Sequence, residues 1–201
     1  MSGGFERIAL PRADVLYQPG WLPPAVAGAL MQRLVREIPW TQHQVRMFGR
    51  ELPSPRLSAW IGDADAVYTY SRVRHQPAPW TPALAQLRER LQVELGARFN
   101  SVLANRYRDG RDSMGWHADD EPELGREPLI ASISLGAVRR MRFRARDRSA
   151  VAAIDLADGS LLLMGGRTQT LYQHAVDKTR ADTGERINLT FRWIHPWEEW
   201  R

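Results

Sequence analysis

From residue 99 onward the sequence is a succession of short apolar runs, each cut off within a few residues by glycine, aspartate or proline. Ser101–Tyr107, Leu129–Ser134, Met141–Arg144, Ser160–Met164 and Ile187–Trp193 carry the aliphatic and aromatic residues that suit a pleated surface. Each is shorter than the roughly ten to twelve residues of an ordinary buried helix. A strand cannot stand alone, because its backbone donors and acceptors need neighbours. Many short strands in one half of a chain therefore close into a sandwich or a jelly roll.

Two helices come first. Pro23-Pro24 opens one, with Val26, Leu30, Leu34 and Ile38 spaced as its apolar stripe. Thr81 is the N-cap of the second and Pro82 its first helical residue. Leu84, Leu87, Leu91 and Leu95 form its buried face, and Gly96 ends it. Residues 41–80 are rich in Pro, Gly, Arg and aromatics, which suits extended segments and turns. The expected architecture is mostly β with flanking helices (α+β). Helices and a lid over 1–98 pack on a jelly-roll core over 99–201, in a single structural domain.

A chain of 201 residues can bury one core. It has no cysteine, which excludes disulfides and thiolate metal sites. No apolar run approaches the ~20 residues of a membrane helix, and the N-terminus lacks the features of a secretory signal. These features predict an intracellular, cytoplasmic monomer with no membrane partner, nucleoid-associated if the source is bacterial. The net charge is +5, and every basic residue except Lys178 is an arginine. A planar guanidinium suits phosphate, and a basic domain is the footprint of a nucleic-acid binder. Drift in composition toward arginine would give the same numbers, so charge alone decides nothing.

The motif that carries chemistry is Trp116-His117-Ala118-Asp119-Asp120-Glu121. On a strand, side chains two apart share a face, so His117 and Asp119 can point together. His174 lies 55 residues beyond Asp119 and needs the fold to reach them. Two histidines and one carboxylate suit non-haem iron(II) better than structural zinc. Arg186 and Arg192, six apart, face the same way on a regular strand. Two inward guanidiniums are costly unless they meet anions. Such an anion is either a bound dicarboxylate or an internal acidic partner.

These residues, taken with Asn105-Arg106-Tyr107 and its following Asp-Gly turn, Ile130–Gly136, Gly159–Leu162 and Arg186–Arg192, resemble the AlkB family of iron(II)- and 2-oxoglutarate-dependent dioxygenases. The resemblance covers roughly residues 45–194. It implies a double-stranded β-helix, with Fe(II) held by His117, Asp119 and His174. It implies that Arg192 pairs with the distal carboxylate of 2-oxoglutarate, while Asn105, Tyr107, Arg186 and Asn188 help hold that cosubstrate. The implied reaction uses O2 to hydroxylate an alkyl group on a base nitrogen while 2-oxoglutarate is decarboxylated to succinate. The hemiaminal then collapses to an aldehyde and the restored base.

A base must leave the stack to be reached. In the resembling family the segment matching Val67–Ser71 lines the lesion pocket. It supplies Tyr68, Tyr70 and Ser71, with Tyr70 favoured over Trp116 as the stacking plane. Asp120 and Glu121 either accept from an exocyclic amino group or support the site from behind. Arg46–Arg50 resembles the hairpin of duplex-DNA-specialised members. There Phe48 is the wedge that fills the gap, Gly49 permits the turn, and Arg46 and Arg50 meet phosphates. Arg140, Arg142 and Arg144 share one strand face. The reading is repair of 1-methyladenine and 3-methylcytosine in alkylated DNA, double-stranded in preference to single-stranded DNA or RNA. An RNA demethylase, a hydroxylase of another substrate, and an inactive nucleic-acid binder are the alternatives.

Overall fold

The computed structural model describes residues 4–47, 50–70 and 73–195. In chain order it contains β1 (Glu6–Arg7), β2 (Asp14–Gln18), α1 (Pro24–Glu37), β3 (Gln44–Met47), β4 (Arg50–Pro53), β5 (Leu57–Gly62), β6 (Tyr68–Tyr70) and β7 (Val73–His75). There follow α2 (Pro82–Leu95), β8 (Ser101–Tyr107), β9 (Met114–His117), β10 (Ile130–Gly136), β11 (Arg139–Ala145) and β12 (Val151–Leu156). The last elements are β13 (Ser160–Gly165), a single-turn α3 (Thr168–Leu171), β14 (Tyr172–Val176) and β15 (Arg186–Arg192).

Antiparallel pairing sorts the strands into a major sheet, β1-β2-β13-β10-β15-β8-β5, and a minor sheet, β12-β11-β14-β9. β3–β4 and β6–β7 are separate two-stranded ribbons. The two faces of the major sheet read directly from period-two alternation. In β15, Ile187, Leu189 and Phe191 face the helices and join Leu34, Leu84, Leu87 and Leu91 in one core. The intervening Arg186, Asn188, Thr190 and Arg192 line a cleft on the opposite face. A second core forms where the sheets meet, from Tyr17, Ile130, Leu162 and Met164 against Met141, Phe143, Tyr172 and Val176. This is the expected jelly roll with helices on one side.

Thr81 accepts a hydrogen bond from the Leu84 amide, and Gly96 ends α2 in the left-handed region at φ 60°. Ending there suits glycine because it has no Cβ to clash. In α1 the buried stripe runs through Ala27 and Leu34 to Ile38 at the C-cap, and Val26 is 49% exposed. At about 100° per residue, Val26 lies a quarter-turn from that stripe, which corrects its assignment to the core face. A boundary at residue 98 would cut through the major sheet, since β2 pairs with β13 and β5 with β8. Among the described residues no helix is long and apolar enough to cross a membrane.

Candidate metal and cosubstrate site

The minor sheet brings the two histidines together. β14 and β9 pair with His174 opposite His117, and their rings lie 4.2 Å apart. The backbone carbonyl of Gly115 lies 2.9 Å from Nδ1 of His117, so that nitrogen donates to it and Nε2 is left as the metal-facing atom. β9 ends at His117, so Asp119 is not on the strand; the shared strand face expected of His117 and Asp119 is replaced by a loop. Asp119 is placed instead by partners. Its amide donates to Oε1 of Gln169 on α3 at 3.0 Å, and its Oδ1 accepts from Nη2 of Arg192. Nε2 of His174 lies 3.8 Å from Oδ2 of Asp119. One donor atom from each of the three residues falls within 4.8 Å of the others.

The protonation states suit a metal. Burial pushes His174 down to about 3, and the charges of His117 and Arg192 add to this against the pull of Asp119. The imidazole is therefore neutral, as a ligand must be. Burial alone would raise the Asp119 carboxyl, but the Arg192 guanidinium outweighs it and holds the group below the usual range.

The floor of the cleft belongs to the major sheet. Asn105 and Tyr107 on β8 face Asn188 and Arg186 across the β8–β15 ladder. Arg186 is 1% exposed. Its Nη2 donates to Ser134 Oγ at 3.0 Å, while Nε and Nη1 have no hydrogen-bond partner. Burial pushes this guanidinium below its ordinary range. A buried cation with two idle donors is what an anion-binding site looks like before the anion arrives. Oδ1 of Asn105 accepts from Arg56 Nε at 2.7 Å, which commits the oxygen and leaves the amide NH2 for the cleft. The Asn188 amide donates to Ser132 Oγ and to the Ile133 carbonyl, and its Oδ1 accepts from Thr190.

A family model described as "2OG-Fe(II) oxygenase superfamily" matches residues 14–192. Rat alpha-ketoglutarate-dependent dioxygenase alkB homolog 3 is 43% identical over 195 residues, covering 90% of this chain and 64% of that protein. Mouse DNA oxidative demethylase ALKBH2 is 38% identical over 183 residues, covering 86% of this chain and 77% of the relative. The chain belongs to the AlkB family. It spans a little under two thirds of the alkB homolog 3 proteins it matches. A solved structure titled "The structure of OsALKBH1" superposes with a TM-score of 0.66 over 94% of this chain and 100% of that one. At 16% identity that likeness is one of fold.

AlkB-family membership brings Fe(II), 2-oxoglutarate and O2 as metal and cosubstrates. The residues fit: two imidazoles and a carboxylate for the metal, and the two idle Arg186 donors for a carboxylate. The remaining sequence expectations divide. Trp116 does not line the cleft. It sits on the outer face of the minor sheet, its ring 4.2 Å from the Arg144 guanidinium carbon and 5.0 Å from that of Arg142. That corrects its reading as a base-stacking plane, because alternation along β9 turns Trp116 away whenever His117 turns in. Asp120 is paired with Arg146. Of the outer arginines, Arg140 pairs with Asp155 and Arg142 with Asp177. Tyr68 and Tyr70 lie on the β6–β7 ribbon. The β3–β4 ribbon pairs Met47 with Arg50, and Phe48, Gly49 and Ser71 lie outside the described residues.

Arg56, Ser134 and Gln169 support the site, yet nothing local in the sequence marks them, since each acts on a residue far away in the chain. Ser132 and Ser134, alternating along β10 toward the cleft, are the one readable signal.

Proposed function

We propose that this AlkB-family chain catalyses oxidative dealkylation of N-alkylated bases such as 1-methyladenine and 3-methylcytosine in DNA. The observation that carries the reading is Arg186, a buried guanidinium with two open donors on the floor of the cleft that holds His117, Asp119 and His174. Bound there, the metal and 2-oxoglutarate supply the oxidising chemistry that amino-acid side chains lack. The rest is positioning. Arg186 grips the distal carboxylate of 2-oxoglutarate in a forked pair. Arg192, to which the family resemblance gives that task, is committed to Asp119 and holds the metal-binding carboxylate ionised and in place. Tyr107 and the Asn105 amide donate to the cosubstrate from β8. Asn188 keeps the adjoining serines in register.

On the substrate side, the β6–β7 ribbon carries Tyr70 and Tyr68 as planes for a base out of its stack. Phe48, between β3 and β4 in sequence, is the wedge in duplex DNA. The names of two relatives, an alkB homolog 3 dioxygenase and a DNA oxidative demethylase, support nucleic acid as the substrate.

The test is formaldehyde release from 1-methyladenine in duplex DNA, single-stranded DNA and RNA, with Fe(II), 2-oxoglutarate and O2. The expected order is duplex first. Turnover confined to RNA would move the substrate assignment, and no turnover on any strand would overturn the reading.

A further inference from the structure

The two halves of the site stand on different sheets. Tyr107 and Arg186 face each other in the major sheet, and His117 and His174 in the minor sheet. Two connections join these pairs. Residues 108–113 run from Tyr107 to β9, and residues 177–185 run from β14 to Arg186. Where the two connections meet lies a charged side chain that neither the metal nor the cosubstrate reading uses.

That side chain is Arg139. It opens β11 facing inward and is 3% exposed, while Arg140 beside it points outward to Asp155. Its Nη1 donates to the Asp109 carbonyl at 3.2 Å, and its Nη2 to the carbonyl of Asp112 at 2.9 Å and to that of Asp177. The carboxylates of these three aspartates are taken by other arginines: Asp109 by Arg111, Asp112 by Arg108 and Asp177 by Arg142. Arg139 therefore reads backbone, and it reads both connections at once. Its guanidinium carbon also lies 5.7 Å from the centre of the Tyr107 ring, whose other guanidinium neighbour is Arg186 at 5.1 Å.

A second contact repeats the tie. The Thr179 amide donates to the Gly110 carbonyl at 2.8 Å. The approach is so close that a Cβ on Gly110 would fall 2.7 Å from the Thr179 carbonyl oxygen.

We propose that Arg139 is a positioning residue, a clamp that fixes the cosubstrate anchors of the major sheet against the metal ligands of the minor sheet. This rests on the proposed function, because 2-oxoglutarate is the ligand that must reach both. A planar fork is required, since one ammonium cannot span carbonyls on two connections. Loosening the clamp leaves the His117–His174 pairing and the Arg192–Asp119 pair intact. The metal should still bind, and the ligand that bridges the sheets should suffer.

The experiment uses Arg139→Lys, which keeps the charge and removes the fork, and Gly110→Ala, which pries the connections apart without touching Arg139. Arg140→Lys is the control. Calorimetry measures Mn(II) alone, then 2-oxoglutarate with Mn(II) present. Both variants should bind Mn(II) nearly as the wild type does, yet bind 2-oxoglutarate about tenfold more weakly, the worth of roughly one hydrogen bond to a charged group. In turnover the KM for 2-oxoglutarate should rise by the same factor while kcat at saturation changes little. Cosubstrate affinity unchanged in both variants, or metal and cosubstrate lost in parallel, overturns the clamp. Wild-type protein that binds Mn(II) but no 2-oxoglutarate would instead overturn the proposed function, and this inference with it.

Discussion

Replacing Arg186 by methionine separates the site's two demands. The wild-type guanidinium is buried at 1% exposure, so its bonds to a carboxylate are not diluted by solvent. Two hydrogen bonds to a charged partner are each worth roughly 1.5–3 kcal/mol. Losing both therefore costs about 3–6 kcal/mol, or roughly two to four decades in 2-oxoglutarate affinity. Arg186→Lys keeps one charged contact and should lose about half of that free energy. Stability of the cosubstrate-free protein should move little. The variant gives up a bond to Ser134 Oγ, but it also removes a buried cation with two idle donors. The assay is a thermal melt with Mn(II), with and without 2-oxoglutarate. At a hundredfold excess over Kd the wild type should gain about 2.7 kcal/mol, a rise in Tm of roughly 5–10 °C for a chain of this size. Arg186→Met should show no rise at that concentration while still binding Mn(II). A retained rise would refute the assignment of Arg186 as the carboxylate anchor.

Two further outcomes are expected. Phe48→Ala should lower turnover on methylated duplex far more than on single strands; equal loss on both would remove the wedge. His174 is pushed by burial from 6.5 to about 3, so below pH 6.5 the unfolded chain takes up a proton there that the folded chain refuses. Stability of the metal-free protein should therefore fall as pH falls through that window, by about 2 kcal/mol between pH 7 and pH 5 from this group. Melts of His174→Gln over the same range should show a drop smaller by that amount, and equal drops would mean that His174 is not held neutral.

Elements whose periodicity and caps lie within a few residues are legible in the sequence alone. Ser101–Tyr107 forms a strand with the boundaries expected, and α2 starts at Pro82 beyond its Thr81 cap as expected. β14 is not among the expected strands, although it carries His174. Its five residues, Tyr172–Val176, mix polar and apolar side chains too briefly to show a period. Val26 is misplaced because a four-residue spacing fits more than one stripe on a short helix.

The sequence by itself determined the ligand types, the inward pair at Arg186 and Arg192, and the alternation that gives β15 one apolar and one polar face. All of these depend on neighbours along one strand or on side-chain chemistry. The tertiary structure alone decided which arginine serves Asp119, that the amide oxygen of Asn105 is already taken, that Trp116 turns outward, and that Arg139 joins two connections. Those are contacts between residues far apart in the chain, and strand periodicity fixes a side chain's face without fixing its partner. Asp119 and Arg192 are 73 positions apart, and only the closing of the two sheets makes them neighbours.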